Sequence, residues 1–235
     1  MTDARIQALG DCALLLSFGE RLDPALNTLA LAATAALRAA DLPGIRDIAP
    51  AYASICVQYD PSAWMDAAAK QSPHTRIASR ISAIVDNLSI PRTESAVAAT
   101  DIPVCYGGDF GPDLDALATH AKLSPTEAIA RHCATEYRVA MLGFAPGFAY
   151  LLGLDVTLNM PRLAAPRVRV PDGSVAIGGA QTGVYPCELP GGWQIIGRTP
   201  LTLFDAARDQ PALLGPGQRV RFRAVGADEF AALAK

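Results

Sequence analysis

The sequence has little concentrated positive charge, and this absence excludes one class of partner. It contains 20 lysines and arginines against 23 aspartates and glutamates, for a formal net charge of −3, and no basic run. Proteins that bind nucleic acid or anionic membranes cluster cations against phosphates. We therefore expect no nucleic-acid partner.

Long apolar runs are also missing. The most apolar stretch, residues 29–37, is rich in alanine and ends at Arg38. It is far shorter than the roughly 20 residues that span a bilayer. The first residues lack the charged and apolar regions of a signal peptide. We expect a cytoplasmic protein with no membrane partner.

Metal-binding and nucleophile motifs are absent too. The five cysteines form no C-x-x-C pair and the three histidines are scattered, so we expect free thiols and no metal site. Ser174 and Cys187 lie outside any G-x-S-x-G elbow, which argues against a hydrolase triad. No Gly-Lys-Ser/Thr sequence indicates a phosphate-binding loop.

The first third of the chain alternates strand-like and helix-like segments. Two helices are predicted after Asp23 and Ser72, each of which precedes a proline suited to the first helical turn. Four strands are predicted around them, at residues 5–9, 12–18, 45–48 and 53–59. We predict a first domain over residues 1–92, with helices on one face of a mostly antiparallel sheet, and a linker over residues 90–100.

The second part, residues 93–235, is predicted to form another domain. It begins with a strand at 102–106 and two helices, the second of which starts at the capping box of Ser124 and Glu127. From Tyr137 onward, short apolar runs alternate with turns rich in glycine and proline. This pattern predicts β structure to the end of the chain, and a closed barrel is favoured because closure removes exposed edges.

Glycine, proline and aromatic residues concentrate in three segments of this second domain, residues 143–148, 178–186 and 190–200. Glycine and proline constrain the path of the backbone, whereas aromatic and polar side chains supply contact area and hydrogen bonds. The combination predicts a binding site built on loops.

Among candidate site residues, His132 near a helix end is open to two interpretations. It is either a general acid/base or anion anchor, or a histidine that interacts with the helix dipole. Arg167 and Arg169 share a strand face and form either an anion clamp or solvated surface. Arg198 lies between Gly197 and Thr199, which constrain the backbone.

A compact set of hydrogen-bonding groups, Gln181, Thr182 and Tyr185, follows the Gly178–Gly179 pair. No nucleophile is paired with a base among them. The set therefore suits the binding of an amide or carboxylate better than covalent catalysis.

Motifs along nearly the whole chain resemble the family of the 5-oxoprolinase B subunit, which is also the KipI family and is also called allophanate hydrolase subunit 1. The matching segments, in order, are residues 10–18, 49–61, 102–108, His132 with Tyr137, and residues 143–151, 161–167, 170–179, 181–186 and 190–205. The resemblance implies an α+β fold, with an N-terminal ferredoxin-like α/β sandwich and a C-terminal cyclophilin-like β-barrel of the carboxyltransferase type.

The same resemblance implies a function. The implied function is that of the B subunit in an ATP-dependent 5-oxoprolinase, a lactam hydrolase that opens 5-oxoproline to glutamate. The resemblance also implies that the isolated chain is inactive. The implied partners are the A and C subunits, the second of which is homologous and KipA-like, and ATP is used by the complex. We expect His132 to be catalytic and the substrate-binding residues to be Gln181, Tyr185, Arg198, Phe144 and Arg167.

Two alternatives stay open within the resemblance. One is a KipI-type inhibitor of a sensor histidine kinase, which would use exposed aromatic loops as a protein contact. The other is a carboxyltransferase component of the urea carboxylase or allophanate type.

Overall fold

A computed structural model describes residues 4–66, 68, 70–88 and 98–234. Contacts divide the chain into two compact units, Met1–Ser95 and Ala96–Lys235. The predicted domain boundary at 92/93 and most of the predicted linker at 90–100 lie outside the described residues.

The first unit contains one antiparallel sheet and two helices. Both helices begin as the sequence predicts, because the Asp23 carboxylate accepts the Ala25 N–H and the Ser72 hydroxyl accepts the Thr75 N–H. The strands are β1 (Arg5–Ala8), β2 (Ala13–Ser17), β3 (Ile45–Pro50) and β4 (Ser54–Tyr59), and the helices are α1 (Pro24–Ala39) and α2 (Pro73–Asp86). The strand order is β1-β2-β4-β3, with every neighbouring pair antiparallel.

The core of the first unit lies between the sheet and the helices. Ile77, Ile81 and Val85 lie on the buried face of α2, as their spacing predicts. They share a cluster with apolar residues of β2 and β4, including Leu14 and Ile55. The ferredoxin-like designation of this unit stays a prediction.

The second unit contains a closed barrel of seven strands. The strands of this unit in chain order are β5 (Thr100–Tyr106), β6 (Glu136–Leu142), β7 (Ala149–Leu152), β8 (Arg167–Val170), β9 (Ser174–Gly178), β10 (Gln181–Val184), β11 (Leu189–Gly191), β12 (Gln194–Arg198) and β13 (Arg219–Ala224). The barrel runs β10-β7-β6-β13-β5-β12-β9, while β8 and β11 form a separate two-stranded sheet. The predicted closed barrel is confirmed and is consistent with a cyclophilin-like fold.

Two helices, α3 (Leu114–Ala121) and α4 (Pro125–Ala134), connect β5 to β6. The predicted capping box at α4 is present: Ser124 and Glu127 exchange hydrogen bonds, of 2.8 Å from the Ser124 N–H and 3.2 Å from the Glu127 N–H. This box fixes where α4 begins and therefore where His132, in its last turn, lies relative to the barrel.

The prediction of β structure to the end of the chain is wrong for its last segment. Residues Ala227–Leu233 form a short helix, α5. Its Phe230 ring packs 4.8 Å from the Phe110 ring. The alanines and the acidic first turn of this segment favour a helix, and the strand pattern that precedes it does not continue into it.

Among the described residues, the helices are too short or too polar to cross a membrane. All five cysteines are free thiols, as the sequence predicts.

Candidate functional site

The loop between β6 and β7, residues 143–148, holds an exposed aromatic side chain in a constrained backbone. Phe144 has a φ of +68°, in the left-handed region that bulky residues avoid, and 61% of its surface is exposed. The Gly143 N–H donates to the Phe148 carbonyl at 3.2 Å, and the Phe148 N–H donates to the Ala145 carbonyl at 3.0 Å. Strain of this kind, held by surrounding hydrogen bonds, is a feature of functional loops.

Gly147 explains why the loop can close tightly against the barrel. Its φ is +82°, and a Cβ atom at this position would lie 2.7 Å from the Cβ of Phe204. The glycine thus provides both the backbone conformation and the close approach. The sequence predicts that glycine and proline constrain the backbone of this loop, and Gly147 does so.

Below this loop lies a group of four aromatic rings, here called the aromatic platform: Phe148, Tyr150, Tyr185 and Trp193. Phe148 contacts the other three, with ring centroids 4.8 Å from Tyr150, 5.2 Å from Tyr185 and 5.6 Å from Trp193. The exposed Phe144 ring meets the platform edge-to-face, 5.5 Å from Phe148 and 6.5 Å from Tyr185. Edge-to-face packing fixes ring orientation. Because Phe148, Tyr185 and Trp193 are buried, the platform is a rigid core that supports the exposed Phe144 ring.

Tyr185 is the buried floor of the platform. Its phenol oxygen accepts a hydrogen bond from the Trp193 backbone N–H, and burial raises the pKa of the phenol. Gly191 makes room for it, because an added Cβ would lie within 2.2 Å of the phenol oxygen. The structure therefore brings two predicted binding residues, Phe144 and Tyr185, together, with Tyr185 contributing its ring.

Arg162 lies at this platform and was not among the predicted site residues. Its guanidinium carbon is 5.7 Å from the centroid of the Trp193 ring, within range of a cation–π contact. The Arg162 charge also acts on the pKa of both platform phenols, Tyr150 and Tyr185, against the raising effect of burial. An exposed cation therefore lies beside the aromatic platform.

The two arginines predicted to bind substrate are already paired. Arg167 donates to the Asp113 carboxylate at 2.7 Å. Arg198 donates to the backbone carbonyl and the carboxylate of Asp172. Arg169 lies near a different carboxylate, Glu188, at 3.6 Å. Arg167 and Arg169 therefore face separate anions rather than one shared ligand.

His132 lies inside the barrel in a closed hydrogen-bond network. Its Nδ1 is 2.7 Å from the Tyr106 hydroxyl and its Nε2 is 3.1 Å from the Thr182 hydroxyl. Since Thr182 donates its own proton to the Ala176 carbonyl, it must accept from Nε2–H. Nδ1 is then the acceptor of the Tyr106 O–H. Both ring nitrogens are satisfied in one neutral tautomer.

The surroundings of His132 keep the ring uncharged. The side chain is 1% exposed and stacks on Phe222 at 4.5 Å. Burial lowers the pKa of His132 from 6.5 to about 3. A favourable interaction with the helix dipole requires the charged ring, which burial disfavours, so the surroundings of His132 argue against that interpretation. The predicted catalytic role of His132 stays a prediction.

Gln181 begins β10 directly after the Gly178–Gly179 turn and pairs with Gly178 across the hairpin. Its side chain is largely buried in the barrel wall. The residue after it, Thr182, is the one that contacts His132. Thr182 therefore joins β10 to the hydrogen-bond network of His132, whereas Phe144 packs on the platform.

Among the described residues, no group of three or more His, Cys, Asp or Glu side chains is arranged to hold a metal ion.

Comparison with known proteins shows one matching family and several similar chains. Residues 4–214 match the family described as "Carboxyltransferase domain, subdomain C and D". A similar curated protein is the 5-oxoprolinase B subunit of Bacillus subtilis (strain 168), 39% identical over 236 residues, which covers 96% of this chain and 95% of that one.

Two solved structures are also similar. The crystal structure of TTHA0988 is 36% identical, with a TM-score of 0.77 over 92% of this chain and 40% of that chain. Urea carboxylase of Kluyveromyces lactis has a TM-score of 0.75 over 97% of this chain and 22% of that chain. At 19% identity, the second likeness concerns the fold alone. The chain spans less than half the length of both solved proteins.

Proposed function

Since the chain belongs to the carboxyltransferase-domain family of subdomains C and D, we propose that it is the B subunit of a 5-oxoprolinase. The observation that carries this proposal is the similarity to the Bacillus subtilis protein of that name, across 96% of this chain and 95% of the relative. The complex would open the lactam ring of 5-oxoproline to glutamate. Its other members would be the A and C subunits, the second of which is homologous and KipA-like.

The aromatic platform suits such a substrate. A five-membered lactam presents two apolar ring faces, an amide and a carboxylate. The exposed Phe144 ring, supported by the platform, offers apolar contact, while Arg162 near Trp193 offers a positive charge. Recognition of a small ligand by an apolar surface with a few placed polar groups is the usual design of a binding site.

The proposed chemistry depends on ATP supplied to the complex. A lactam is a stable amide, and the sequence has no elbow motif for an activated nucleophile. Phosphate from ATP would activate the lactam carbonyl before ring opening. The sequence also has no Gly-Lys-Ser/Thr loop, so we assign ATP binding to one of the partners. We therefore expect the isolated chain to be inactive.

We do not assign proton transfer to His132 in this proposal. Both of its ring nitrogens are occupied within the barrel, by Tyr106 and Thr182. A base with a pKa of about 3 is also a poor acceptor near neutral pH. His132 is better explained as a residue that fixes α4 to the barrel interior.

The cytoplasm is the proposed location of the protein, because thiols stay reduced there and all five cysteines are free.

Reconstitution tests the proposal. The chain would be purified with its two partners from the host that encodes it, and glutamate release from 5-oxoproline followed with and without ATP. We expect activity only with all three proteins and ATP. Unchanged activity after omission of this chain would refute the proposal.

The competing functions predict other results in the same preparation. A urea-type carboxyltransferase component would transfer carboxylate from carboxybiotin and would not release glutamate. A kinase inhibitor would lower the autophosphorylation of a histidine kinase and would leave 5-oxoproline unchanged.

A further inference from the structure

Among the described residues of the second unit, Arg162 has no carboxylate partner. Most arginines among described residues 98–234 lie against carboxylates: Arg131, Arg167, Arg169, Arg198, Arg208, Arg219, Arg221 and Arg223. Arg162 shows neither an ion pair nor a hydrogen bond from its guanidinium to any described residue. Its guanidinium instead lies over the Trp193 ring.

The backbone on both sides of Arg162 is anchored. The Pro161 carbonyl accepts a hydrogen bond from the Gln194 side chain at 2.9 Å, and the Leu163 N–H donates to the Gly192 carbonyl at 2.7 Å. One residue before Pro161, Met160 exchanges hydrogen bonds with Gly179 at 2.8 and 3.3 Å. The segment is thus tied to the barrel before and after the arginine.

This anchoring matters for binding. A free surface arginine loses rotamer entropy when it orders around a ligand, which weakens the net affinity. Arg162 has hydrogen-bonded backbone neighbours on both sides and a guanidinium carbon 5.7 Å from the Trp193 ring centroid, so part of that cost is removed before binding. Arg162 is exposed and donates to no described residue, so its guanidinium is available for two parallel hydrogen bonds to a carboxylate.

We propose that Arg162, which lies beside Trp193, binds the carboxylate of the substrate and makes the site specific for small cyclic acids over neutral lactams. The ligand ring would lie against the exposed Phe144 ring, which packs on the platform. Arg167 and Arg198 have structural roles in this assignment, since Asp113 and Asp172 neutralise them. The identity of the ligand, 5-oxoproline, rests on the proposed function. Its negative charge does not, because that is inferred from Arg162.

Trp193 itself reports on binding. The chain has two tryptophans, Trp64 in the first unit and Trp193, so a W64F background leaves Trp193 as the sole indole. Fluorescence would be titrated with 5-oxoproline and with 2-pyrrolidinone, the same ring without a carboxylate. These fluorescence titrations would be made on the chain alone, and its complex with the two partners would be titrated with the same ligands by calorimetry, which needs no sole indole.

In this background we expect R162Q to weaken 5-oxoproline binding at least about tenfold, because a bidentate charged contact is lost. R162K keeps the charge but not the planar fork, so its loss is intermediate. Binding of 2-pyrrolidinone is weak and unaffected by R162Q. The control R169Q, on the neighbouring two-stranded sheet, leaves both ligands unchanged.

Equal binding by the unsubstituted protein and R162Q in both preparations overturns the inference, as does an equal loss in R169Q. The outcome is separable from that of the proposed function. If the complex hydrolyses 5-oxoproline and R162Q leaves KM unchanged, the proposed function stands and this inference fails. If 5-oxoproline is inert while L-proline or another cyclic acid binds with dependence on Arg162, the inference stands and the substrate is different.

Discussion

The guanidinium of Arg167 lies 2.7 Å from the carboxylate of Asp113, although 54 residues separate them in the chain. The second carboxylate oxygen of Asp113 accepts the Ile195 backbone N–H at 2.6 Å. Asp113 precedes α3, Arg167 begins β8 and Ile195 belongs to β12. One largely buried carboxylate therefore joins the two-stranded sheet and the start of α3 to the barrel wall.

Substitution of Asp113 by alanine is expected to destabilise the second unit by about 2–4 kcal/mol. The change leaves the Ile195 N–H and a half-buried guanidinium without their acceptor. Urea unfolding followed by Trp193 fluorescence in the W64F background measures the loss. The matched control is Glu188→Ala, which removes the pair of Glu188 with Arg169, whose side chains are 57% and 78% exposed.

The control is expected to cost less than about 0.5 kcal/mol, because exposed ion pairs contribute little. Similar losses in both variants would contradict the structural role of Asp113.

Two substitutions of Phe144 are expected to differ in stability although both weaken binding. Phe144→Ala removes the ring but keeps a side chain at a φ of +68°, whereas Phe144→Gly removes the ring and the backbone strain together. Because the left-handed region costs a non-glycine residue about 1–2 kcal/mol, the glycine variant should unfold at higher urea than the alanine variant. Both variants should bind 5-oxoproline more weakly than the unsubstituted protein. A glycine variant less stable than the alanine variant would show that the loop is not strained.

His132 is expected to make the second unit sensitive to acid. Its pKa is about 3 in the folded protein and 6.5 as the ordinary value, so between these pH values the unfolded chain binds the additional proton. The contribution of neutral His132 to the free energy of unfolding is therefore complete above pH 6.5. It declines as the pH falls towards 3, by up to about 1.4 kcal/mol per pH unit. Urea unfolding at a series of pH values from neutral down to about 4 measures this slope.

The comparison variant is His132→Gln, which has no ring to protonate. Its unfolding free energy should be lower at neutral pH and should change less as the pH falls below 6.5. The same slope in both proteins would mean that other groups cause the acid sensitivity.

Tyr106→Phe is expected to cost about 1–3 kcal/mol in unfolding free energy, since it leaves the buried Nδ1 of His132 without a donor. Cys133→Ser is the matched control. The Cys133 thiol lies 3.5 Å from the Tyr106 oxygen, and a serine hydroxyl keeps a donor there. Unfolding of the two variants in urea gives the comparison. A smaller loss in Tyr106→Phe than in Cys133→Ser would argue against a stabilising hydrogen bond between Tyr106 and His132.

Local features of the chain were predictable because their causes are local. The α4 capping box needs Ser124 and Glu127 three positions apart, and the sequence alone shows this spacing. The start of α1 depends on Asp23 and the proline after it. The last helix, α5, was missed because a strand-rich pattern was extended past β13, although its alanines favour a helix.

The candidate site was predictable only in part. The glycines and proline of residues 143–148 indicated a constrained loop, and Phe144 lies on it as expected. Arg162 was missed, since nothing in a sequence says which arginines have carboxylate partners. Its neighbours Pro161 and Leu163 are held by Gln194 and Gly192, which only the folded barrel brings near.

The sequence by itself determined the periodicity of the strands and helices, the caps, the constrained Phe144 loop and the resemblance that points to a family. Each of these depends on neighbours a few positions apart or on the motifs themselves. Tertiary structure decided which arginines pair with carboxylates and that His132 is buried. Closure of the barrel brings Tyr106 and Thr182 to His132 across 26 and 50 positions. Burial and pairing are properties of that closure, so they arise only when distant strands meet.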